Sequence, residues 1–377
     1  MTTSRTYLDH NATQPLRADA RAAMIAAMDR FGNPSSVHAE GRAARAIVET
    51  AREQVAALVN AKPGEVVFTS GATEANALAI GGRAWSAVLF GNAEHAAVLA
   101  PVRRLKAVQT ELPCRADGVQ DITGAEAWAL QLPASETAAF ASMGLANGET
   151  GVVQPVAELS AALAPFGVVV HCDAAQAAGR MPVDFGALGV ALMSVSAHKM
   201  GGPKGVGALI VRDGTPLDAL FVGGGQEKRR RAGTESVVAI AGFGAAAEAA
   251  RRALDQVPAM AALRDGLEAA ILRNVPGAIV IGAGVERLAN TSLISMPGKT
   301  AETLVIKLDL AGFAVSAGAA CSSGKVASSH VLEAMGVAPE IARGAVRVSL
   351  GPDTTAEDIE RFVAAWIAAT GTAALAA

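Results

Sequence analysis

Short apolar runs and helical patterns alternate along most of this chain. Two helical stretches come first, near 17–30 and 37–60. Buried-looking runs follow at Val66–Thr69, Ala87–Phe90, Ala138–Ala141, Val168–His171, Leu192–Val195 and Ala208–Val211. Helical stretches lie between several of them, which predicts an α/β domain with a largely parallel sheet. A charged segment, Gln226–Arg231, then leads into an Ala-rich helix over about 236–254. After Pro258 come strand-like runs near 278–281, 292–295 and 345–349. The boundaries expected are a large domain over 16–254 and a smaller α+β unit made of 1–15 and 255–377. At the C-terminal end Ile359, Phe362, Val363, Trp366 and Ile367 share one helical face, and Thr354 with Glu357 reads as its cap.

Composition narrows the function. The chain has 377 residues, 51% of them hydrophobic, enough to bury more than one core. Its 32 basic and 35 acidic residues nearly balance, and aromatics are 4%, so nucleic acid is not an expected partner. No signal peptide is seen, and the uncharged tail from Phe362 is too short to span a bilayer. Cys114, Cys172 and Cys321 are odd in number and scattered, which favours a reducing cytoplasm over a disulfide framework. No metal site is expected.

Candidate chemistry gathers at the ends of the apolar runs, where α/β sheets bind ligands. Val168-Val-Val-His-Cys-Asp173 delivers a carboxylate at a strand end. It either caps the next helix or pairs with a protonated pyridinium, with Gln176 one turn further on beside a ring hydroxyl. Ser196-Ala-His198-Lys199 ends the next strand. Lys199 there is either a rim lysine or an amine whose pKa burial lowers for imine formation, with Lys204 as competitor. Phe68-Thr-Ser-Gly71-Ala-Thr73 is a strand, a glycine turn and a helix start, a weak phosphate signal that Ser196 and His198 would strengthen. His95 opens a helix, where an imidazole either makes one hydrogen bond or stacks on a flat ring. Ser316–Gly324 is a run of small residues around Cys321 that reads as mobile; the thiol either packs or swings towards a substrate. Cys172, inside a strand, looks inert. Arg347 alternates against apolar neighbours, as a surface arginine or as a grip for an α-carboxylate. Gly242-Phe-Gly244-Ala-Ala-Ala247 fits a dinucleotide pattern, but it reads as one helix with no strand and acid after it.

These residues together resemble the cysteine desulfurases of the nitrogen-fixation and iron–sulfur-cluster branch, in the class V aminotransferase group. The resemblance runs from Tyr7-Leu-Asp-His-Asn-Ala-Thr13 through Gly32-Asn-Pro-Ser-Ser36, Ala146-Asn147-Gly-Glu-Thr-Gly151, Gly223-Gly-Gly-Gln-Glu227 and Arg231-Ala-Gly-Thr-Glu235 to Arg347-Val-Ser-Leu-Gly351. It implies a fold type I transferase using pyridoxal 5'-phosphate, with Lys199 as the imine lysine. It places Asp173 at the pyridine nitrogen, Gln176 at the ring oxygen and His95 stacked on the ring. Ala72, Thr73, Ser196 and His198 would hold the phosphate. Thr234 would reach the phosphate of a partner subunit, so a homodimer is expected. Asn33, Asn147 and Arg347 would hold the substrate. Cys321 would take sulfur from L-cysteine as a persulfide, release alanine, and pass the sulfur to an acceptor such as an iron–sulfur scaffold. Departures are Gln14, Gly148 in place of a second Asn, Ser236, a loosely matching 110–136 and a short tail, which leaves the acceptor open. The alternatives are selenocysteine cleavage, another class V reaction, or a non-catalytic protein on the same fold.

Overall fold

A computed structural model describes residues 5–133, 138–318 and 329–371. Its strands are β1 (Thr6–Tyr7), β2 (Val66–Thr69), β3 (Ala87–Gly91), β4 (Val108–Leu112), β5 (Ala139–Gly144), β6 (Val169–Asp173), β7 (Leu192–Ser196) and β8 (Gly207–Val211). They continue as β9 (Ile279–Ile281), β10 (Thr291–Ser295), β11 (Phe313–Ala314), β12 (Ser316–Ala317) and β13 (Ala345–Ser349). The helices are α1 (Ala18–Met28), α2 (Ala39–Leu58), α3 (Ala72–Gly81), α4 (Ala96–Val102), α5 (Ala125–Leu130) and α6 (Val156–Leu163). After them come α7 (Val237–Arg252), α8 (Val257–Asn274), α9 (Ala301–Leu310), α10 (His330–Ala334), α11 (Pro339–Ala342) and α12 (Ala356–Thr370).

Seven strands form one sheet in the order β2-β8-β7-β6-β5-β3-β4. Every pairing is parallel except those of β8, which runs antiparallel to both neighbours. Successive side chains on a strand point to opposite faces, and both faces are covered. Val67, Val88, Phe90, Phe140 and Leu209 pack on the side of α3 and α4. Val66, Phe68, Leu89, Ala141, Met193 and Ile210 pack on the other side, with α2, α6 and α7. All six apolar runs read from the sequence are strands. The edge strand β4 was not among them: Val-Gln-Thr-Glu-Leu buries only its last residue, so it carries no run of apolar positions.

The second sheet is antiparallel, in the order β12-β13-β10-β9. Its core joins Ile294, Val346 and Val348 to Leu267 and Ile271 of α8 and to Phe362 and Trp366 of α12. Leu8 from the start of the chain lies in that same core, and β1 pairs in parallel with β11. The cap of α12 is one residue later than expected. Thr355 and Asp358 form the capping box, because the Thr354 hydroxyl instead accepts from the Gly351 N–H at 2.9 Å and closes the preceding turn.

The glycines of the dinucleotide-like pattern have a packing role. Both lie within α7. A Cβ on Gly242 would meet Met24 at 2.6 Å, and one on Gly244 would meet Ala51 Cα at 2.6 Å. They let α1 and α2 approach α7 closely. Among the described residues no helix is long and apolar enough to cross a membrane.

Candidate active site

The parallel strands β3, β5, β6 and β7 carry their carboxyl ends to one edge of the large sheet, and the expected residues follow those ends. At the end of β6, Asp173 is nearly buried. Its Oδ1 accepts from the Ala175 N–H at 2.9 Å and its Oδ2 from Asn76 Nδ2 at 2.7 Å. Both contacts are neutral donors, so neither hydrogen bond brings a cation to the charge. A carboxylate held this way in a low-dielectric position is poised for a cationic partner.

β7 ends at Ser196 and runs into a single tight turn, Ala197–Lys199. Lys199 is half-buried, and its Nζ donates to the carbonyls of Asn11 and Ala12. Lys204 is exposed in the following turn. His198 Nδ1 lies 3.3 Å from Thr13 Oγ1. Burial, then the positive charges of Lys199, Arg180 and Lys204, hold the His198 pKa down at about 4. The neutral ring keeps a nitrogen to offer.

β2 enters α3 through Gly71, at φ +155°, a conformation that favours glycine. A Cβ on Gly207 of β8 would lie 2.7 Å from Gly71 Cα, so two backbones meet here with no room for side chains. No side chain caps α3, leaving the first N–H groups, at Ala72 and Thr73, open beside the exposed Thr73. The Ser196 hydroxyl has no hydrogen-bond partner among the described residues. Free backbone N–H groups, two hydroxyls and an imidazole form a donor set that fits a phosphate monoester.

His95 is the N-cap of α4, its Nδ1 accepting from the Ala97 N–H at 3.1 Å. The residue remains accessible at the mouth of the site, while the groups around its ring displace water. That desolvation, with Lys199 and His330, lowers its pKa against the opposing pull of Asp173. The residue before His95 is Glu94. It is buried, accepts from the Gly144 N–H at 2.8 Å, and burial raises its pKa to about 8.

Of the two readings of Arg347, surface arginine or carboxylate grip, the structure rules out the first. β13 is an interior strand, and the side chain is buried because the N-terminal segment lies over it. Its Nη2 donates to Asp9 at 2.8 Å and its Nη1 to the Gly148 carbonyl at 3.0 Å. Asn147 organises its own turn, accepting from the N–H groups of Glu149 and Thr150 and donating to the Ala93 carbonyl. A Cβ on Gly148 would lie 2.9 Å from Gln176 Nε2, so the glycine standing there makes room for Gln176. Asn33 and Thr234 are both exposed.

Cys321 lies outside the described residues. The two described cysteines are held as thiols: Cys172 is buried with its pKa pushed well up, and burial raises Cys114 to about 11. Neither offers a thiolate nucleophile at neutral pH. Asn11 and Arg180 went unread in the sequence. Asn11 is fully buried and bonds Gly148, Thr291, Ser349 and Asn290; Arg180 is also buried. Arg180 acts largely through backbone carbonyls and Asn11 through groups of distant segments, and neither leaves a pattern in a sequence.

The aminotransferase class-V family model matches residues 6–362, and the chain belongs to that family. It is 39% identical over 364 residues to the cysteine desulfurase IscS of Dictyoglomus turgidum, covering 94% of this chain and 91% of that protein. It is also 39% identical over 369 residues to an IscS-like cysteine desulfurase of Mycobacterium tuberculosis, covering 94% and 93%. Among solved structures, a NifS-like protein from Rickettsia africae superposes with a TM-score of 0.89 at 32% identity, covering 98% of this chain and all of that one.

Proposed function

We propose that this protein is a cysteine desulfurase, using pyridoxal 5'-phosphate to remove sulfur from L-cysteine and leave L-alanine. The observation that carries the reading is the meeting, at one sheet edge, of Lys199, Asp173, Gln176 and His95 beside the uncapped start of α3. Bound there, the cofactor supplies an electron-accepting ring that makes carbon–sulfur cleavage possible.

The chain's own groups would divide the remaining work. Lys199 is the attachment point, and its Nζ moves protons at the substrate α-carbon. Asp173 would hold the ring nitrogen in its protonated form, Gln176 would donate to the ring oxygen, and His95 would pack on the ring. The N–H groups of Ala72 and Thr73, with Thr73, Ser196 and His198, hold the phosphate. Arg347, with Asn147 and Asn33, holds the substrate; to take the substrate carboxylate it shares its donors with Asp9 and Gly148. The Cys321 sulfur would attack the substrate sulfur while it is still bonded to carbon: the S–S bond forms as the C–S bond breaks, the electron pair leaves with carbon, which is protonated on the way to alanine, and the persulfide is left for transfer to an acceptor protein such as an iron–sulfur scaffold.

A homodimer belongs to the same reading. Thr234 is exposed, and the chain also exposes Phe31, Val37, Phe221 and Val222, apolar side chains that a second copy would cover. So does the division into 16–254 and a unit made of 1–15 and 255–377, supported by the pairing of β1 with β11. Borohydride reduction of the yellow protein followed by peptide mapping tests the attachment point. The pyridoxyl group is expected on Lys199, and recovery on Lys204 would overturn the assignment.

A further inference from the structure

Arg180 is a buried cation that the proposed chemistry leaves unused. It follows Gly179, which holds φ +80°, and it lies one turn beyond Gln176. Among the described residues no carboxylate pairs with it. Its guanidinium instead donates to four neutral acceptors. Nη1 reaches the Gln176 carbonyl at 3.0 Å and also Gln176 Oε1, while Nη2 reaches the His10 carbonyl at 2.8 Å and the Lys199 carbonyl at 2.9 Å. Burial, followed by the nearby Arg347, lowers its pKa to about 9, still above neutrality, so the charge is kept. Taking such a charge from water without an anion is costly, and a neutral side chain could fill the space at less cost.

What the charge achieves is visible in the residues it touches. An amide can present either its oxygen or its NH2 to a neighbour. With Oε1 of Gln176 taken by Arg180, the NH2 is the end left for the pocket, and Nε2 donates to the Asn11 carbonyl at 3.2 Å. Lys199 Nζ donates to that same carbonyl. Two donors thus converge on one oxygen, and a single guanidinium grips the residues bearing both. We propose that Arg180 is a positioning residue for the cofactor's ring oxygen: it locks Gln176 with its NH2 outward, ties Lys199 to it, and favours negative charge on that oxygen. This rests on the cofactor reading above.

A donor on the ring oxygen and a cation nearby both favour the form with less positive charge on the lysine nitrogen. They therefore lower the pH at which the visible band of the lysine-bound cofactor changes. The other titratable groups in electrostatic reach of Lys199 or Arg180 are His10, His95, His198 and Arg347, with Asp173 across from His95. None of them is altered by the variants used.

The test is a spectral pH titration of the holoenzyme as wild type, Arg180→Lys, Arg180→Met, Gln176→Ala and the Gln176→Ala/Arg180→Met double variant. Arg180→Gln serves if Arg180→Met does not accumulate. The midpoint should rise by about one pH unit in Arg180→Met, the size expected on losing one oriented donor and one buried charge. Arg180→Lys should stay nearer wild type, and the double variant should shift by less than the sum of the singles. A labelled Lys199 with an unmoved midpoint in Arg180→Met, whatever its melting temperature, overturns the proposal alone. A wild type whose Lys199 takes no label overturns the cofactor reading and this proposal with it.

Discussion

Replacing Asp173 by Asn separates the electrostatics of the site from its architecture. In the wild type, Ala175 N–H and Asn76 Nδ2 fill one acceptor position on each carboxylate oxygen. The amide introduced by Asp173→Asn would keep its oxygen towards Ala175 and turn its NH2 towards Asn76. Two donors would then face each other, but the other end of the Asn76 amide, Oδ1, is buried with no partner. A flip of Asn76 exchanges donor for acceptor and restores a hydrogen bond. The fold should therefore lose only about 1 kcal/mol, the net value of an ordinary hydrogen bond. Function should suffer more. A hydrogen bond between charged groups contributes about 1.5–3 kcal/mol, and each ~1.4 kcal/mol is tenfold in rate. If that difference is expressed in the transition state, turnover falls roughly 10- to 150-fold. Thermal melting and alanine release, measured on protein saturated with cofactor, give the two numbers. Near-normal turnover in Asp173→Asn with cofactor bound would refute the role given to the carboxylate, and a collapse in melting temperature would refute the hydrogen-bond account.

Two further perturbations test other parts of the structure. Glu227, Lys228 and Arg229 all hold positive φ, and the segment is fixed by a buried two-pronged pair in which Arg52 Nη1 and Nη2 reach Glu227 at 2.9 and 2.8 Å. Glu227→Gln leaves the buried Arg52 with only the half-exposed Glu49 as a counter-charge, at 3.2 Å, and should cost up to about 3–5 kcal/mol by chemical denaturation, while Arg52→Met/Glu227→Gln should recover part of it; a loss below about 1 kcal/mol for the single variant would contradict this. Glu94 has its pKa raised to about 8 by burial, so the folded state keeps a proton that the unfolded chain has already released above its ordinary range. Its contribution is complete at about pH 4 and is lost as pH rises towards about 8. Glu94→Gln, which cannot ionise, should therefore gain stability relative to wild type between about pH 5 and 8; parallel melting curves would rule the buried neutral carboxyl out.

Residues whose burial depends on neighbours along the chain were legible in the sequence, and those whose environment is assembled from distant segments were not. Val169–Asp173 and Leu192–Ser196 are interior parallel strands covered on both faces, so each reads as an unbroken apolar run with chemistry at its end. Val108–Leu112 is exposed along most of its length at the sheet edge, and nothing in its composition separates it from a loop. Arg347 alternates as an outward residue should, yet Asp9, 338 residues away, covers it. Thr354 and Thr355 are equally good caps by composition, and the Gly351 N–H decides between them. Arg180 works by gripping carbonyls of segments that meet only in the fold, and the Asn11 carbonyl accepts from Gln176, which is equally distant in sequence.

The central claim is that sulfur leaves cysteine and arrives on Cys321. The wild-type holoenzyme, treated with L-cysteine, should be digested without reductant and its peptides weighed by mass spectrometry beside Cys321→Ser. One added sulfur on the peptide containing Cys321, with alanine released by the wild type and sulfur release falling by orders of magnitude in Cys321→Ser, is the result expected, since a hydroxyl is a poor nucleophile towards sulfur at neutral pH. Sulfur on Cys114 or Cys172, or normal turnover by Cys321→Ser, would contradict it.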